Sequence, residues 1–416
     1  MWKLAQSTQA KRIFCTPGNP GIAAEPRVTI PTLPGSDHAS LVAFCQQENI
    51  ELVVVGPEQP LVDGLADALT AASIPVFGPS AQAAQLEGSK EFMKNILAAA
   101  GVPTARHDSF TDPAAAKAYI REVGAPIVVK TSGLAAGKGV LICQTVAEGE
   151  KAVDQLMVDL IFGDAGKTVV VEEFLTGEEA SFFAIVDGAT GLILASAQDH
   201  KAAYDGDLGP NTGGMGAYSP APVFTPEVEA QVVREILQPT VDAMVKRGTP
   251  YTGVLFGGLM VENGRAKLLE WNVRFGDPEC QVLMTRLRSD LVDVLRMACE
   301  TRLAELSPLV WTEDKALTVV MAARGYPGDY QKGTEIDVSN VGVEGVKVFH
   351  AGTAEKEGKL VANGGRVLNV TAVGKDITEA QGKAYEAVSQ ISWQDAQFRK
   401  DIGWRAVARE KEGRNM

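Results

Sequence analysis

A short segment near residue 270 places a carboxylate, an amide and a guanidinium at alternate positions. Residues 267–274 follow an apolar run and a turn at 262–265, so we predict a strand. Residues two apart in a strand share a face, so Glu270, Asn272 and Arg274 should point the same way. Carboxylate and amide oxygens suit Mg²⁺, and a guanidinium neutralises charge on a transferring phosphoryl group. The alternative is an edge strand with mixed charges.

A second segment joins a strand lysine to a glycine-rich turn. The predicted strand at 126–130 ends in Lys130, and Gly133-Leu-Ala-Ala-Gly137-Lys138-Gly139 follows. Three residues separate Gly133 from Gly137, and Gly139 follows Lys138, so this is not a Walker A loop. The pattern is typical of a mobile hairpin whose amides and Lys138 can close over a polyphosphate. An ordinary flexible hairpin is the alternative.

Two further segments carry polar groups that could face a ligand. A buried strand ends in Glu172-Glu173-Phe174-Leu175, and Glu178-Glu179 follows. A hinge of this kind can offer backbone groups to an adenine edge and a carboxylate to ribose, although such acids are also common on surfaces. Residues 199–220 are predicted to form a long polar, glycine-rich loop, and loops of that length are usually functional.

Composition excludes several classes of protein. The 416 residues carry a formal net charge of -13, which argues against binding to a nucleic-acid backbone. We find no signal-peptide pattern and no membrane span in the sequence. The scattered, odd number of cysteines favours free thiols in a reducing cytosol: Cys15, Cys45, Cys143, Cys280 and Cys299.

The order of predicted strands and helices divides the chain into three units. Residues 1–88 alternate strands and helices, which predicts a doubly wound α/β unit with parallel strands. Residues 89–312 would form a central unit, with a flap subdomain at about 105–175. Residues 313–416 are predicted to form a small α+β unit.

These segments together resemble the ATP-grasp enzymes. Longer motifs are similar to the glycinamide ribonucleotide synthetase family, and the resemblance covers nearly the whole chain. They are the glycine flap after Lys130, Asp199-His200-Lys201, the loop at 210–220, and Asn-Val-Arg-Phe-Gly-Asp-Pro-Glu at 272–279. The resemblance implies that ATP drives the joining of glycine to 5-phosphoribosylamine through glycyl phosphate. The products would be glycinamide ribonucleotide, ADP and phosphate, in de novo purine synthesis.

The resemblance also implies a role for each candidate residue. Arg274 and Lys130 would be catalytic, and Glu270 and Asn272 would bind Mg²⁺ or Mn²⁺. The ATP-binding residues would be Lys90, Lys130, Gly137, Lys138, Gly139, Glu172, Glu173, Phe174, Leu175 and Glu178. Within that set, Glu172 and the backbone near Phe174 would hold adenine, and Glu178 or Glu179 would hold ribose. The substrate-binding residues would be Asp199, Lys201, Asn211, Thr212, Gly213, Gly214, Met215 and Arg274.

Three features depart from the family pattern. The family usually has Ala-Asp before the first flap glycine, whereas Thr131-Ser132 stands here and removes a carboxylate. It usually has Arg after Asp-His-Lys, and we expect Ala202 to weaken substrate affinity without abolishing function. Family members open with an apolar strand and a Gly-Gly-Arg-Glu-His turn, whereas this sequence starts at Met1-Trp2-Lys3. We expect that the start is placed about 15 residues too late. The chain as written should bind Mg-ATP but use phosphoribosylamine poorly and aggregate readily.

Two other interpretations remain open. One is an ATP-grasp ligase or carboxylase for another carboxylate or amine, against which the 210–220 loop argues. The other is a non-catalytic ATP-binding relic, against which the intact Lys130, Glu270, Asn272 and Arg274 argue. We expect small-molecule substrates and no nucleic-acid or membrane partner. A cytoplasmic monomer is expected, with a weak dimer as the alternative.

Overall fold

The computed structural model describes residues 1–33, 35, 37–135 and 139–414. It confirms the predicted mixed architecture of α/β and α+β parts. In the first unit the strands are β1 (Ile13–Phe14), β2 (Val28–Thr29), β3 (Val53–Val54) and β4 (Val76–Phe77). Its helices are α1 (Pro20–Ala23), α2 (His38–Gln47), α3 (Glu58–Val62), α4 (Leu65–Ala71) and α5 (Gln85–Gly88).

The strands of the first unit pair in parallel, as predicted, but in two separate ladders. β1 pairs with β2, and β3 pairs with β4. A cavity of about 1490 Å³ lies beside both ladders and is lined by Phe14 of β1, Val54 of β3 and Phe44 of α2. The helical segment over 58–71 is divided into α3 and α4, because Gly64 between them adopts a left-handed conformation with φ of 90°.

The flap subdomain is a small antiparallel sheet with two helices. Helix α6 (Lys90–Ala100) precedes this subdomain. The elements of the subdomain are β5 (His107–Phe110), α7 (Pro113–Val123), β6 (Ile127–Thr131), β7 (Val140–Cys143), α8 (Val146–Val153) and β8 (Val169–Glu173). The strand order is β5-β8-β6-β7. The predicted hairpin is confirmed, with Lys130 of β6 opposite Val140 of β7. Gly137 and Lys138, at its expected tip, lie outside the described residues.

A larger sheet crosses the centre of the molecule. The remaining central elements are β9 (Glu178–Asp187), β10 (Gly191–Asp199), β11 (Ala202–Tyr204), β12 (Leu208–Asn211), β13 (Gly216–Ser219), α9 (Pro226–Val232), α10 (Gln238–Lys246), β14 (Thr252–Glu262), β15 (Arg265–Asn272), α11 (Glu279–Arg286) and α12 (Leu291–Cys299). The C-terminal elements are β16 (Lys315–Ala323), β17 (Val346–His350), β18 (Thr353–Lys356), β19 (Lys359–Ala362), β20 (Arg366–Gly374), α13 (Ile377–Gln390), β21 (Ala396–Gln397) and α14 (Trp404–Arg414).

This sheet joins two units that the sequence separated at residue 313. Its order is β15-β14-β9-β10-β13-β16-β20-β17, and β21 also pairs with β16. From Ala316 to Ala323 every residue of β16 is buried, and the strand takes β13 and β20 as partners. Because buried backbone groups need hydrogen-bond partners, β16 depends on the central unit as well as on its own.

The expected long loop at 199–220 is largely wrong, since β11, β12 and β13 lie within it. Thr212 N–H donates to the Lys201 carbonyl at 2.8 Å, and Met215 N–H donates to the His200 carbonyl at 2.7 Å. These bonds fold the polar segment against the sheet, so Gly214 and Met215 are buried. In the part of the chain that the structure describes, no helix is long and apolar enough to cross a membrane.

Candidate active site

The strand with the predicted metal ligands is confirmed as β15, at one edge of the large sheet. Its apolar face is anchored by Trp271 and Val273, which are 1% and 2% exposed, whereas Leu269 is only half-buried. Glu270 stands opposite Gly258 of β14, so no side chain from that position covers the carboxylate. Asn272 follows on the same face at the end of the strand. The two oxygen donors therefore lie side by side, as the alternation predicted.

A buried ion triad stands next to this strand. Lys130 Nζ lies 3.1 Å from Glu172 Oε2, and Lys94 Nζ lies 3.3 Å from Glu172 Oε1. The triad residues Lys94, Glu172 and Lys130 are 0%, 2% and 6% exposed. Lys94 also donates to Thr104 Oγ1 at 2.8 Å. Sequence reasoning missed Lys94, although its spacing of one helical turn from Lys90 places both on one face of α6.

The pKa values of these groups reflect competition between burial and pairing. Burial opposes ionisation of Glu172, but Lys130 and then Lys94 hold its pKa below the usual range. Burial lowers the pKa of Lys94 to about 8, and it also lowers the pKa of Lys90. Burial works against the charged form of Glu270, yet Lys90 and Lys130 lower the pKa of this carboxyl group. Lys90, Lys130 and Glu270 therefore share one electrostatic environment.

The hinge between β8 and β9 presents a more open surface. Phe174 is 36% exposed, and Glu173 pairs with Lys267 at 3.2 Å. Glu178, expected at the ribose, pairs with Arg409 of α14, and Leu175 is half-buried. Glu172, which was expected to hold adenine, has both of its oxygens facing lysine ammonium groups.

The substrate-side residues differ in exposure, since Met215 is fully buried whereas Asn211 is exposed. Lys201 Nζ lies 2.7 Å from Glu179, and both side chains are partly exposed. Burial opposes its charge, yet Asp199 and Glu179 raise the pKa of Lys201. Burial raises the pKa of Asp199 against the pull of Lys201. The neighbouring loop of Asn211, Thr212, Gly213, Gly214 and Met215 is fixed by Arg366, which donates to the Gly213 carbonyl at 2.8 Å.

Glu279 is a buried carboxyl group that the sequence did not single out. It lies in the first turn of α11 and is 3% exposed. Burial, followed by the nearby Asp199 carboxylate, raises the pKa of Glu279 to about 8. The sequence signal that could have identified Glu279 as a site residue is its position seven residues after Asn272. A neutral carboxyl group therefore stands near the cationic Lys201 at neutral pH.

Two positions that depart from the family pattern have defined surroundings. Ser132 is buried, and its hydroxyl accepts from Glu91 N–H at 3.2 Å, so it caps the start of α6. Ala202 is also buried, and its carbonyl accepts from Arg399 at 3.2 Å. Arg399 in turn pairs with Asp207 at 2.8 Å. A cation from the C-terminal segment thus lies against the backbone of Ala202.

Arg274 makes more ion pairs and hydrogen bonds with protein groups than its expected role on the transferring phosphoryl group requires. Its Nε lies 2.9 Å from Glu58, and its Nη2 lies 2.9 Å from Glu87. Nη2 also donates to Asn272 Oδ1 at 3.4 Å, which confirms that these two side chains lie on the same side of the chain. Glu58 and Glu87 were not predicted, because no local pattern links them to residue 274.

The donor set fits a divalent cation held jointly with a polyphosphate. Among the described residues, no group of three or more His, Cys, Asp and Glu side chains could hold a metal alone. Glu270 and Asn272 offer two hard oxygens, and Mg²⁺ commonly takes its remaining ligands from substrate phosphates and water. Lys90 and Lys130 stand beside them and would neutralise such phosphates.

A family model described as an ATP-grasp (A) domain matches residues 88–280, which places this fold in the ATP-grasp class. The biotin carboxylase domain of the 2-oxoglutarate carboxylase from Hydrogenobacter thermophilus, solved with MgADP, matches with a TM-score of 0.70 at 17% identity. The match covers 89% of this chain and 81% of that chain. At this identity the likeness shows the fold alone.

Closer relatives give the family. Models of the phosphoribosylglycinamide synthetase N domain, ATP-grasp (A) domain and C domain match residues 1–87, 88–280 and 316–405. A phosphoribosylamine–glycine ligase of Brucella melitensis is 55% identical over 415 residues, covering 99% of this chain and 96% of the relative. The crystal structure of a phosphoribosylamine–glycine ligase from Thermotoga maritima matches with a TM-score of 0.84 at 34% identity, covering 96% of both chains. This chain belongs to the phosphoribosylglycinamide synthetase family.

Proposed function

We propose that this chain is an ATP-dependent ligase that joins glycine to 5-phosphoribosylamine. The products are glycinamide ribonucleotide, ADP and phosphate, in purine biosynthesis. The observation that carries the proposal is the Glu270/Asn272 strand face beside Lys90 and Lys130, in a chain whose family models match residues 1–87, 88–280 and 316–405. The site gathers cations and hard oxygens where a polyphosphate would lie.

The chemistry needs positioning and charge neutralisation more than a side-chain nucleophile. A carboxylate resists attack by an amine because oxide is a poor leaving group. Transfer of the γ-phosphoryl group of ATP to a glycine carboxylate oxygen releases ADP and forms glycyl phosphate. The amine of phosphoribosylamine then attacks the glycyl carbonyl, phosphate leaves, and the nitrogen loses a proton. Holding the reactants in line supplies much of the rate.

Each part of the site has a proposed task. Lys90 and Lys130 bind ATP phosphates, together with the flap residues Gly137, Lys138 and Gly139. Glu270 and Asn272 would hold Mg²⁺ or Mn²⁺, which would neutralise charge on the phosphates. The exposed Phe174 and the backbone of Glu173 and Leu175 face adenine, and Glu178 or Glu179 faces ribose. Glu172 keeps Lys130 charged and in place.

The acceptor side is assigned to the cleft around Lys201. Asp199, Lys201 and the Asn211–Met215 loop would hold glycine and phosphoribosylamine, and the Lys201–Glu179 pair marks the boundary with the nucleotide side. We also propose that the chain acts as a monomer in the cytoplasm and binds neither nucleic acid nor membrane. The unpaired state of Cys15, Cys45, Cys143, Cys280 and Cys299 is in keeping with that location.

An ADP-release assay with freshly made phosphoribosylamine tests the proposal. Release should require glycine and phosphoribosylamine together, and other amines or amino acids should give much slower release. Product mass identifies glycinamide ribonucleotide. Preference for a different carboxylate or amine would favour another ligase of the same fold, and ATP binding without turnover of any pair would favour a non-catalytic protein.

A further inference from the structure

The hydrogen bonds of Arg274 account for nearly all of its donors. The guanidinium has five N–H groups. Nε donates to Glu58, Nη2 donates to Glu87 and Asn272, and Nη1 donates to the Phe275 carbonyl at 3.3 Å. One N–H, on Nη1, is left. The side chain is therefore oriented by protein acceptors.

The two carboxylates that hold Arg274 are themselves fixed. Glu87 bridges two groups, since its Oε1 accepts from Arg274 while its Oε2 accepts from Val273 N–H at 2.7 Å. Its side chain is 9% exposed. Glu58 is the first residue of α3, directly after the turn that ends β3. Both carboxylates thus belong to the first unit, and they bind the chain directly after the end of β15.

The charge of this group is unsuited to a direct role on phosphate. Arg274 carries one positive charge and faces two carboxylates within 2.9 Å. Burial raises the pKa of Glu87 to about 7, so this group is partly ionised near neutral pH. In either protonation state the cluster carries no net positive charge. It would not add attraction for a transferring phosphoryl group.

The bond to Asn272 has a more specific consequence. A side-chain amide can present either its oxygen or its NH₂ group in one direction, and only the oxygen can bind a cation. Because Arg274 donates to Oδ1, the amide is held with its oxygen on the Arg274 side and its NH₂ group turned away. The second lone pair of that oxygen remains available to a metal ion.

We propose that Arg274 is a positioning residue for the metal site, held by Glu58 and Glu87. The three residues fix the amide oxygen of Asn272 beside Glu270, and so they make metal affinity depend on the first unit. The proposal rests on the proposed assignment of Glu270 and Asn272 as metal ligands. Partners that orient metal ligands typically change metal affinity by about 10–100-fold when they are substituted.

Metal binding without turnover tests this directly. Mn²⁺ affinity is measured by electron paramagnetic resonance in the presence of ADP, with glycine and phosphoribosylamine left out. Arg274→Lys and Glu87→Gln should each weaken Mn²⁺ binding by about 10-fold or more. ADP affinity in the absence of metal should change by less than about twofold, because neither residue is placed on the nucleotide.

The matched control is Glu25→Gln. Glu25 also belongs to the first unit and forms a partly buried ion pair across units, with Lys347 at 2.7 Å, but in the part of the chain that the structure describes it makes no hydrogen bond or ion pair with β15. Its Mn²⁺ affinity should equal that of the unmodified protein. If Arg274→Lys fails to fold, as judged by circular dichroism and thermal melting, Glu87→Gln decides the matter, since it retains an acceptor of the same size.

Three outcomes separate the possibilities. Weak Mn²⁺ binding by Arg274→Lys, with kcat restored by excess Mn²⁺, supports positioning. Normal Mn²⁺ affinity with a low kcat that excess metal does not restore would place Arg274 on the transferring group and overturn the inference. Unchanged Mn²⁺ binding in Asn272→Leu would instead refute the metal assignment, which belongs to the proposed function.

Discussion

At the scale of single residues, lysines of the site have carboxylate partners within the protein. Glu172 pairs with the buried Lys94 and Lys130, and Glu179 pairs with the partly exposed Lys201. Removing one member of a buried pair leaves an uncompensated charge, which typically costs about 3–5 kcal/mol. The lysines therefore stay charged and oriented before any nucleotide arrives. This arrangement also means that substitutions within the triad will affect folding as well as ligand binding.

The first prediction concerns the two proposed metal ligands. Glu270→Gln or Asn272→Leu should reduce turnover by at least about 100-fold, because each removes a hard oxygen ligand. The thermal midpoint should remain within a few degrees, since Trp271 still anchors the strand. ADP release and thermal melting measure the two effects. Glu262→Gln is the control, because Glu262 is an exposed acid on the same hairpin. Near-normal turnover of Glu270→Gln or Asn272→Leu would contradict the assignment of these residues as metal ligands.

The second prediction concerns the pH dependence of Glu279. Its pKa is about 8 in the folded protein against an ordinary 4.5, so the folded state keeps a proton that the unfolded chain releases between these values. The stability contributed by this group is present below about pH 4.5 and is lost as pH rises towards 8. Glu279→Gln, which cannot ionise, should therefore gain on the order of 4 kcal/mol relative to the parent between pH 5 and pH 9. Urea unfolding across that range measures it, and a difference independent of pH would refute it.

At the scale of elements, local patterns explain what could be predicted. Alternation predicted β15. The ends of α6 also carry local signals, because Ser89 accepts from Phe92 N–H at its start and Gly101 is left-handed at its end. The 199–220 segment was misjudged because its strands are only three or four residues long and pair through contacts that periodicity does not encode. Its polar and glycine-rich composition indicated an exposed loop, whereas β13 is fully buried.

The third prediction concerns Gly214, which holds the substrate-side loop against Pro278. A Cβ at Gly214 would lie 2.4 Å from Pro278 Cδ, and φ there is +117°. Gly214→Ala should displace the loop and lower kcat/KM for glycine or phosphoribosylamine by about 10-fold or more, with ATP affinity less affected. Gly248→Ala is the matched control, because Gly248 also has a positive φ (+82°) but open space around it. Equal effects of the two substitutions on activity would show that backbone strain alone is responsible.

At the scale of the whole molecule, the contacts that the sequence could not supply are those between distant segments. Arg274 donates hydrogen bonds to Glu58 and Glu87, which lie 216 and 187 residues away in the sequence. Lys130 donates to Glu172, which lies 42 residues away. The motifs identified Arg274, Lys130 and Glu172 as chemically important. They could not show that Arg274 is held by acids of the first unit, or that Glu172 is shared with Lys94. Such pairings depend on how the units are assembled, and a single sequence carries no direct signal for them.

The last prediction follows from the sheet that crosses residue 313. β13 and β16 pair over four residues, from Gly216 opposite Val319 to Ser219 opposite Ala316, so neither can open without exposing buried backbone of the other. Hydrogen exchange followed by mass spectrometry measures the free energy of opening of each strand. The values for peptides from β13 and from β16 should agree within about 1 kcal/mol. The flap sheet shares no strand with the large sheet, so β6 should open separately and at lower free energy. Protection that persists in β16 after β13 has exchanged would mean that the C-terminal unit is independently stable, as the boundary at 313 predicted.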